Sequence, residues 1–421
     1  DWDAANLRGT VALGLGLSLA SSATLGVLLA VFAPRVAEWY ADPALIVPLQ
    51  LTGLALPAAT LSDAALAGTQ GWRTQRPFTM IGRIIDPLSR LIVTGAALLM
   101  GFGIVGAFWA LAVTSWISAV LALRALFARL SRLPRAAMSF PIRRIFSFSM
   151  VSWVSALAST GLIWTDTLLI GVLKGNAEVG VYNVSTRIVT LAVFVMAPIN
   201  AAFGPQLAHL HHVGEHAQIA RIYQAASTWI VRLALPAFVL LTVFPAHILA
   251  FFGHDFATGA TVTAILAVGQ FINASTGPCG TVLNMSGRVA INMVDNVAVL
   301  ALDIVLNLLL IPRMGIVGAA IAWSTSLAVV NLTRVVQVWR FERVLPWTSG
   351  MLRATVAAAA AAVVAVLVRA NVHDRLWSVV LGGLAILAVY VGVVRAFGIS
   401  ADDRVVLNSV ISRRRRGPKT A

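Results

Sequence analysis

The sequence predicts an all-α polytopic membrane protein, and three observations carry that prediction. Hydrophobic residues make up 59% of the 421 and charged residues only 11%, whereas a soluble domain is charged at about one residue in four. Mean hydropathy is +0.87. Apolar runs of about 20 residues, enough to cross a bilayer as a helix, recur along the chain, and twelve are counted: 8–33, 44–69, 77–101, 104–126, 146–172, 179–207, 225–252, 258–285, 289–311, 315–339, 350–369 and 376–397.

The links between runs justify them in order. The first two are joined by APRVAEWYAD, the second and third by a link holding Arg73 and Arg76, and the third and fourth by the tight Gly101-Phe-Gly103 turn. A basic linker with Arg129, Arg132, Arg135, Arg143 and Arg144 comes next, then the hairpin link LKGNAEVGVYN, then a loop with His209, His211, His212 and His216. Arg221, Arg288, Arg340, Arg343, Arg413 to Arg416 and Lys419 fall on the same side as the basic linker. The opposite side receives Arg35, Lys174, Arg313, Arg369 and Arg375. By the positive-inside rule the richer side is cytoplasmic, which places both ends of the chain inside a cytoplasmic (inner) membrane. The net charge of +15 therefore orients helices and meets anionic lipid headgroups, and it implies no nucleic acid. Cys279 is the single cysteine, which excludes an internal disulfide.

A repeat organises the chain. GIVGA occurs at 103–107 and again at 315–319, and the same offset of 212 carries Val31-Phe32 onto Val243-Phe244, while GWR at 71–73 answers Gly287-Arg288 with a small slip. Runs one to four thus match runs seven to ten, as in transporters built from parallel repeats. The hairpin at 146–208 opens the second copy, and its counterpart would precede residue 1. The expectation is a protein of fourteen helices, whose first two are missing from this chain of twelve.

Four stretches carry a family resemblance. They are Asp166-Thr-Leu-Leu-Ile-Gly, Glu178-Val-Gly-Val-Tyr182-Asn-Val-Ser-Thr-Arg187, Pro205-Gln-Leu, and Leu306-Asn307-Leu-Leu-Leu-Ile-Pro312-Arg-Met-Gly315-Ile-Val-Gly318-Ala-Ala. In this order they resemble the polysaccharide flippases, of the superfamily that also holds lipid II flippases and multidrug extruders. The resemblance implies two pseudo-symmetric helical lobes forming a V around a cavity, plus a C-terminal helix pair. The corresponding division is an incomplete N-terminal lobe at 1–126, a basic linker at 127–145, a C-terminal lobe at 146–340, the helix pair at 341–397 and a basic tail at 398–421.

Charges inside apolar runs name the candidate site, because an ionisable group in hydrocarbon faces a bundle interior or a wet cavity. Asp166 and Arg187 lie at similar depth on the two arms of the hairpin and are expected to meet. Arg83, Asp86 and Arg90, spaced by three and four, are expected on one face of the third helix. There Arg83 would sit in a ladder with Asp63 and Asp86, and Arg90 would be free for a diphosphate, which offers a guanidinium a bidentate partner. Arg187, Arg90, Arg83 and Asp166 are thus the expected cavity residues. Asp303 and Asn307 lie one turn apart, level with Asp166. In the lipid II flippase branch an acid and an Asn/Asp pair on the equivalent helices bind sodium, so the resemblance implies a cation site of Asp166, Asp303 and Asn307, whose oxygen ligands suit a hard ion.

Other patterns point to no chemistry. Gly101-Phe-Gly103-Ile-Val-Gly106 fits GxGxxG but no strand precedes it, and no GxxxxGK[ST] occurs. The histidine group lacks a supporting cysteine, and Trp39, Tyr40, Trp339 and Trp347 lie at run ends as an interfacial belt. Short extracytoplasmic loops leave no place for a glycosyltransferase or ligase, so no enzyme, cofactor or bound metal is expected beyond a coupling Na+ or H+. The expected function is translocation of a polyprenyl-diphosphate-linked oligosaccharide by alternating access, with glycan-assembly enzymes as further partners. The alternatives are an ion-coupled drug or metabolite extruder and a non-transporting scaffold for glycan assembly.

Overall fold

The computed structural model describes residues 4–72, 74–132, 142–213 and 215–396. Arg73, Arg135 and the basic tail lie outside the described residues, as do the side chains of Arg143, Arg144, His209, His212 and His216. The chain forms two compact units, residues 1–149 and 150–421. Ten helices among the described residues are long and apolar enough to cross a membrane. The protein is a multi-pass membrane protein with many exposed apolar side chains, such as Leu91, Ile92, Leu99 and Val363.

The first unit contains α1 (Ala4–Trp39), α2 (Ile46–Gln70), α3 (Asp86–Leu99) and α4 (Gly103–Leu130). Between α1 and α2 the backbones touch: a Cβ on Gly26 would lie 2.4 Å from the Gly53 carbonyl oxygen, and one on Gly53 would lie 2.5 Å from that of Gly26. Lipid supplies no hydrophobic drive for helix association, so such small-residue crossings supply dispersion contact instead. Leu66, Ile81, Leu126 and Leu130 close the rest of this core.

Four expected spans are interrupted, the one at 225–252 where the helix His216–Val243 gives way at Phe244 to the short Pro245–Leu249. The run at 77–101 begins with a π-helical stretch, Phe78–Ile85, before α3 becomes regular. The run at 179–207 is two helices, α6 (Asn176–Ala192) and α7 (Met196–His212), which come after α5 (Ile142–Leu173). Tight bonds from Val193 to the Thr190 carbonyl and from Phe194 to that of Leu191 end α6. Pro198, in the first turn of α7, has no N–H to continue the ladder backwards.

The rest of the second unit comprises α8 (His216–Val243), the short α9 (Pro245–Leu249), α10 (Ala260–Ser275), α11 (Cys279–Met285), α12 (Val289–Met314), α13 (Ile316–Glu342), α14 (Ser349–Asn371) and α15 (Arg375–Ala396). The run at 258–285 is broken between α10 and α11, where Gly277 takes φ +64° and a Cβ would lie 1.9 Å from Ser227 Oγ. Only glycine fits there. The Tyr223 hydroxyl donates to the Thr276 carbonyl at 2.8 Å, satisfying backbone that the break frees, as a buried break in a membrane requires.

Helix α8 packs against α10 and α14. The α14–α15 pair, expected as an extra helix pair at 341–397, packs on α8 within the second unit. Phe244 fills the notch at Gly382, where a Cβ would lie 2.3 Å from the Phe244 ring, and Tyr390 donates to the Arg232 carbonyl at 3.0 Å. The repeated GIVGA has one local role in both units. Gly103 and Gly315 take φ of +56° and +60° at the starts of α4 and α13. Three residues on, a Cβ at Gly106 would meet Phe102 and one at Gly318 would lie 2.5 Å from the Leu310 carbonyl oxygen. The fortuitous GxGxxG is therefore a helix–helix turn.

Because the α1–α2 crossing admits no side chain, Gly26→Val and Gly53→Val should each cost about 1–3 kcal/mol. Gly14→Ala, where nothing lies within 4 Å, should leave thermal unfolding in detergent unchanged or slightly raised.

Candidate functional site

The second unit holds a sealed polar cluster built from four helices. Gly175, at φ +103°, turns α5 back into α6 and brings Asp166 opposite Tyr182. The Tyr182 hydroxyl donates to Asp166 Oδ2 at 2.5 Å. Asn307 on α12 donates through one amide nitrogen to Asp166 Oδ1 at 2.8 Å and to Asp303 Oδ2 at 3.0 Å, tying the two acids together. Asp166 is 1% exposed, Tyr182 2%, and Asp303, Asn307 and Ser326 are 0%. The Ser326 hydroxyl lies within hydrogen-bonding reach of Asp303, and among the described residues Asn307 Oδ1 has no hydrogen-bond partner. Two buried acids joined through one amide, with oxygens for ligands, suit a proton or a small hard cation. The expected trio Asp166, Asp303 and Asn307 is thus brought together, and no cluster of three or more His, Cys, Asp or Glu side chains fit to hold a metal occurs among the described residues.

The expected meeting of Asp166 and Arg187 does not occur. Arg187 is exposed, with its guanidinium 5.7 Å from the centre of the Trp164 ring. Tyr182 lies more than one turn nearer the Gly175 bend than Arg187, so it is the residue that reaches Asp166. A neutral donor here leaves the acids without a basic partner.

In the first unit the expected roles of two arginines are exchanged. Arg90, expected free, donates to Asp86 Oδ2 at 3.2 Å, and Ser118 donates to Asp86 Oδ1 at 2.9 Å. Asp86 opens the regular part of α3, so Arg90 stands at i+4 from it and the pair forms along the helix. Arg83 sits in the π-helical stretch, whose wider turn takes it off that face. It is exposed, 5.4 Å from the centre of the Phe78 ring, and among the described residues it forms no ion pair with Asp63 or Asp86 within 4.0 Å.

A second polar cluster in the second unit escaped sequence reading. Arg334 on α13, its side chain 15% exposed, donates to Asn296 Oδ1, and its Nε lies 4.0 Å from Asp295 Oδ2. Gln337 donates to Asp295 Oδ1 at 2.9 Å and Asn296 to Ser155 Oγ at 2.9 Å. The signal was present in the sequence: Asn292, Asp295, Asn296, Asp303 and Asn307 recur at helical spacing and form, with Val299 and Ile311, the buried face of α12. Near the end of α13, Glu342 accepts from Arg288 at 3.1 Å, with His211 Nδ1 4.0 Å away. The Trp39, Trp339 and Trp347 side chains are exposed at helix ends.

Removing the Tyr182 hydroxyl takes a donor from a buried carboxylate, so Tyr182→Phe should lower stability by about 1–3 kcal/mol. Arg187→Ala, which loses only an exposed ring contact, should cost under about 1 kcal/mol. Thermal unfolding in detergent compares the two.

Comparison with known proteins agrees with this architecture. The chain is 30% identical over 191 residues to a probable low-salt glycan biosynthesis flippase of Haloferax volcanii, covering 44% of this chain and 40% of that protein. To a second probable flippase of the same organism it is 26% identical over 225 residues, covering 52% and 47%. The chain thus spans less than half the length of these curated relatives. Its fold is similar to that of a lipid II flippase in an inward closed conformation, with a TM-score of 0.75, 13% identity and coverage of 93% of this chain and 84% of that one. It is also similar to a MOP superfamily transporter from Pyrococcus furiosus, with a TM-score of 0.56, 14% identity and coverage of 81% and 80%. With residues 16–259 matching its family profile, the chain belongs to the polysaccharide biosynthesis protein family.

Proposed function

We propose that this protein is a flippase that carries a polyprenyl-diphosphate-linked oligosaccharide across the cytoplasmic membrane by alternating access, with both ends of the described chain on the cytoplasmic side. Family membership and the flippase relatives support the transport class. Exposed guanidiniums support an anionic headgroup. Among the described residues Arg187 on α6 in the second unit and, separately, Arg83 before α3 in the first are exposed cations, and a guanidinium resting on an aromatic face keeps its donors free for a bidentate phosphate. Arg90, held by Asp86, would meet a phosphate only by giving up that carboxylate.

The observation that carries the energetic half of this reading is the sealed cluster at Asp166, Asp303 and Asn307. Two carboxyl groups in contact with one amide and no base are costly when both are ionised. A coupling proton or sodium ion would neutralise them, and its movement with the potential is worth about 2.3 kcal/mol per 100 mV. A substrate-binding role for these acids, which the extruder reading would ask of them, is disfavoured by their burial at 0–1%. An organic cation has no surface of them to touch.

In the full-length gene, Arg187→Ala should abolish export of surface glycan at normal membrane abundance; normal export would remove Arg187 from the mechanism. Asp303→Asn should also stop export, but by removing the coupling site. In that variant, binding of a radiolabelled lipid-linked glycan to the purified protein should persist, whereas Arg187→Ala should weaken it.

A further inference from the structure

Helices α5, α12 and α13 hold a common register. Asn307 bonds Asp166 and Asn296 bonds Ser155 across the same separation of 141 residues, so α5 and α12 run parallel without slip between those levels. Helix α13 returns antiparallel after the Gly315 turn and places Arg334 beside Asp295 and Asn296. One turn from Asp295 towards Asp303 these registers bring Ala158, Val299 and Val330 to one level, and each is 4% exposed. Polar groups stand on either side of this apolar level. On one side are the two acids Asp166 and Asp303 with Asn307, whose Oδ1 has no hydrogen bond among the described residues. On the other are Asn292 Oδ1, Asp295 Oδ2 and Gln337 Oε1, all buried and without a hydrogen bond. The opposite face of α12 exposes Val294, Val297, Val305 and Leu308, so the polar residues of this helix face the protein.

We propose that α5, α12 and α13 enclose a conduit for a small cation, in which the Asp166–Asp303–Asn307 and Asn292–Asp295–Asn296 stations are separated by a dry constriction of Ala158, Val299 and Val330. The inference rests on the coupling-cation reading and extends it, since it assigns the route by which the ion reaches or leaves the first station. From Asn296 to Asn307 the helix rises about 16 Å at 1.5 Å per residue, half of a bilayer core. Asp295 is partly balanced by Arg334, so a cation passes the second station without being held as it is between two acids. The valine level blocks flow because water does not fill an apolar constriction, the same principle by which hydrophobic gates close channels.

The test uses the protein reconstituted in liposomes without glycan, under an imposed membrane potential. Uptake of radiolabelled sodium is measured, and proton entry is reported by an enclosed pH-sensitive dye. Val299→Thr keeps the side-chain volume and adds a hydroxyl at the constriction, and it should raise uptake of one of the two cations roughly tenfold. Val297→Thr, on the exposed face of α12, should leave uptake at the unaltered level. Should Val299→Thr fail to fold, Val330→Thr places the hydroxyl at the same level from α13 and carries the same expectation. Folded variants that leak no more than the unaltered protein overturn the conduit. Thermal stabilisation of the unaltered protein by sodium or by lowered pH, lost in Asp303→Asn, separates the two readings. If that stabilisation is present without a leak, the conduit alone fails; if it is absent, the coupling reading fails and the conduit with it.

Discussion

Lipid offers no hydrogen bonds, and that constraint governs how α12 is oriented. A helix with Asn292, Asp295, Asn296, Asp303 and Asn307 on one face cannot turn that face outward, because each unsatisfied group in hydrocarbon costs several kcal/mol. The face is therefore turned inward and partners are drawn from the neighbours: Asp166 and Ser155 from α5, Arg334 and Gln337 from α13. The second unit is arranged around this need. Its apolar contacts, from Ile230 and Leu266 to the Phe244 notch, surround a polar interior that a soluble helix would present to water.

Two buried acids in contact at the same place, with no base beside them among the described residues, are what the proposed coupling site rests on. Ser326 is within hydrogen-bonding reach of Asp303, while Asn307 Oδ1 has no donor among the described residues. Such an oxygen is tolerated where a ligand or ion completes the shell. The broken helices add to this, since interrupted α6–α7 and α10–α11 place irregular backbone at membrane depth, which transporters permit where it lines a cavity or is held by side chains such as Tyr223.

Much of the fold was legible because hydropathy reports directly on the bilayer. Repeated glycines were legible too, since Gly103 and Gly315 need positive φ and Gly106 and Gly318 need the absence of a Cβ. The sites were read less well, for a physical reason. Depth along a helix says which groups are level, yet it does not say which way each points. Asp166 and Arg187 are similar in depth, but Arg187 turns to Trp164 while Tyr182 reaches the acid. Arg83 was placed on the face of Asp86 by assuming 3.6 residues per turn, and the π-helical stretch before α3 breaks that assumption. Helical spacing on α12 did encode the second cluster, but its arginine partner lies on another helix, where spacing alone carries no information.

We propose at the centre of this account that a cation moving through the α12 face drives transport of a lipid-linked diphosphate. It is tested most directly by following translocation of a fluorescent polyprenyl-diphosphate glycan in proteoliposomes while a sodium or proton gradient is imposed and then collapsed with an ionophore. The account predicts flipping that accelerates under one of these gradients and falls back when it is collapsed. Translocation at one constant rate, whether or not either gradient is present, would contradict it.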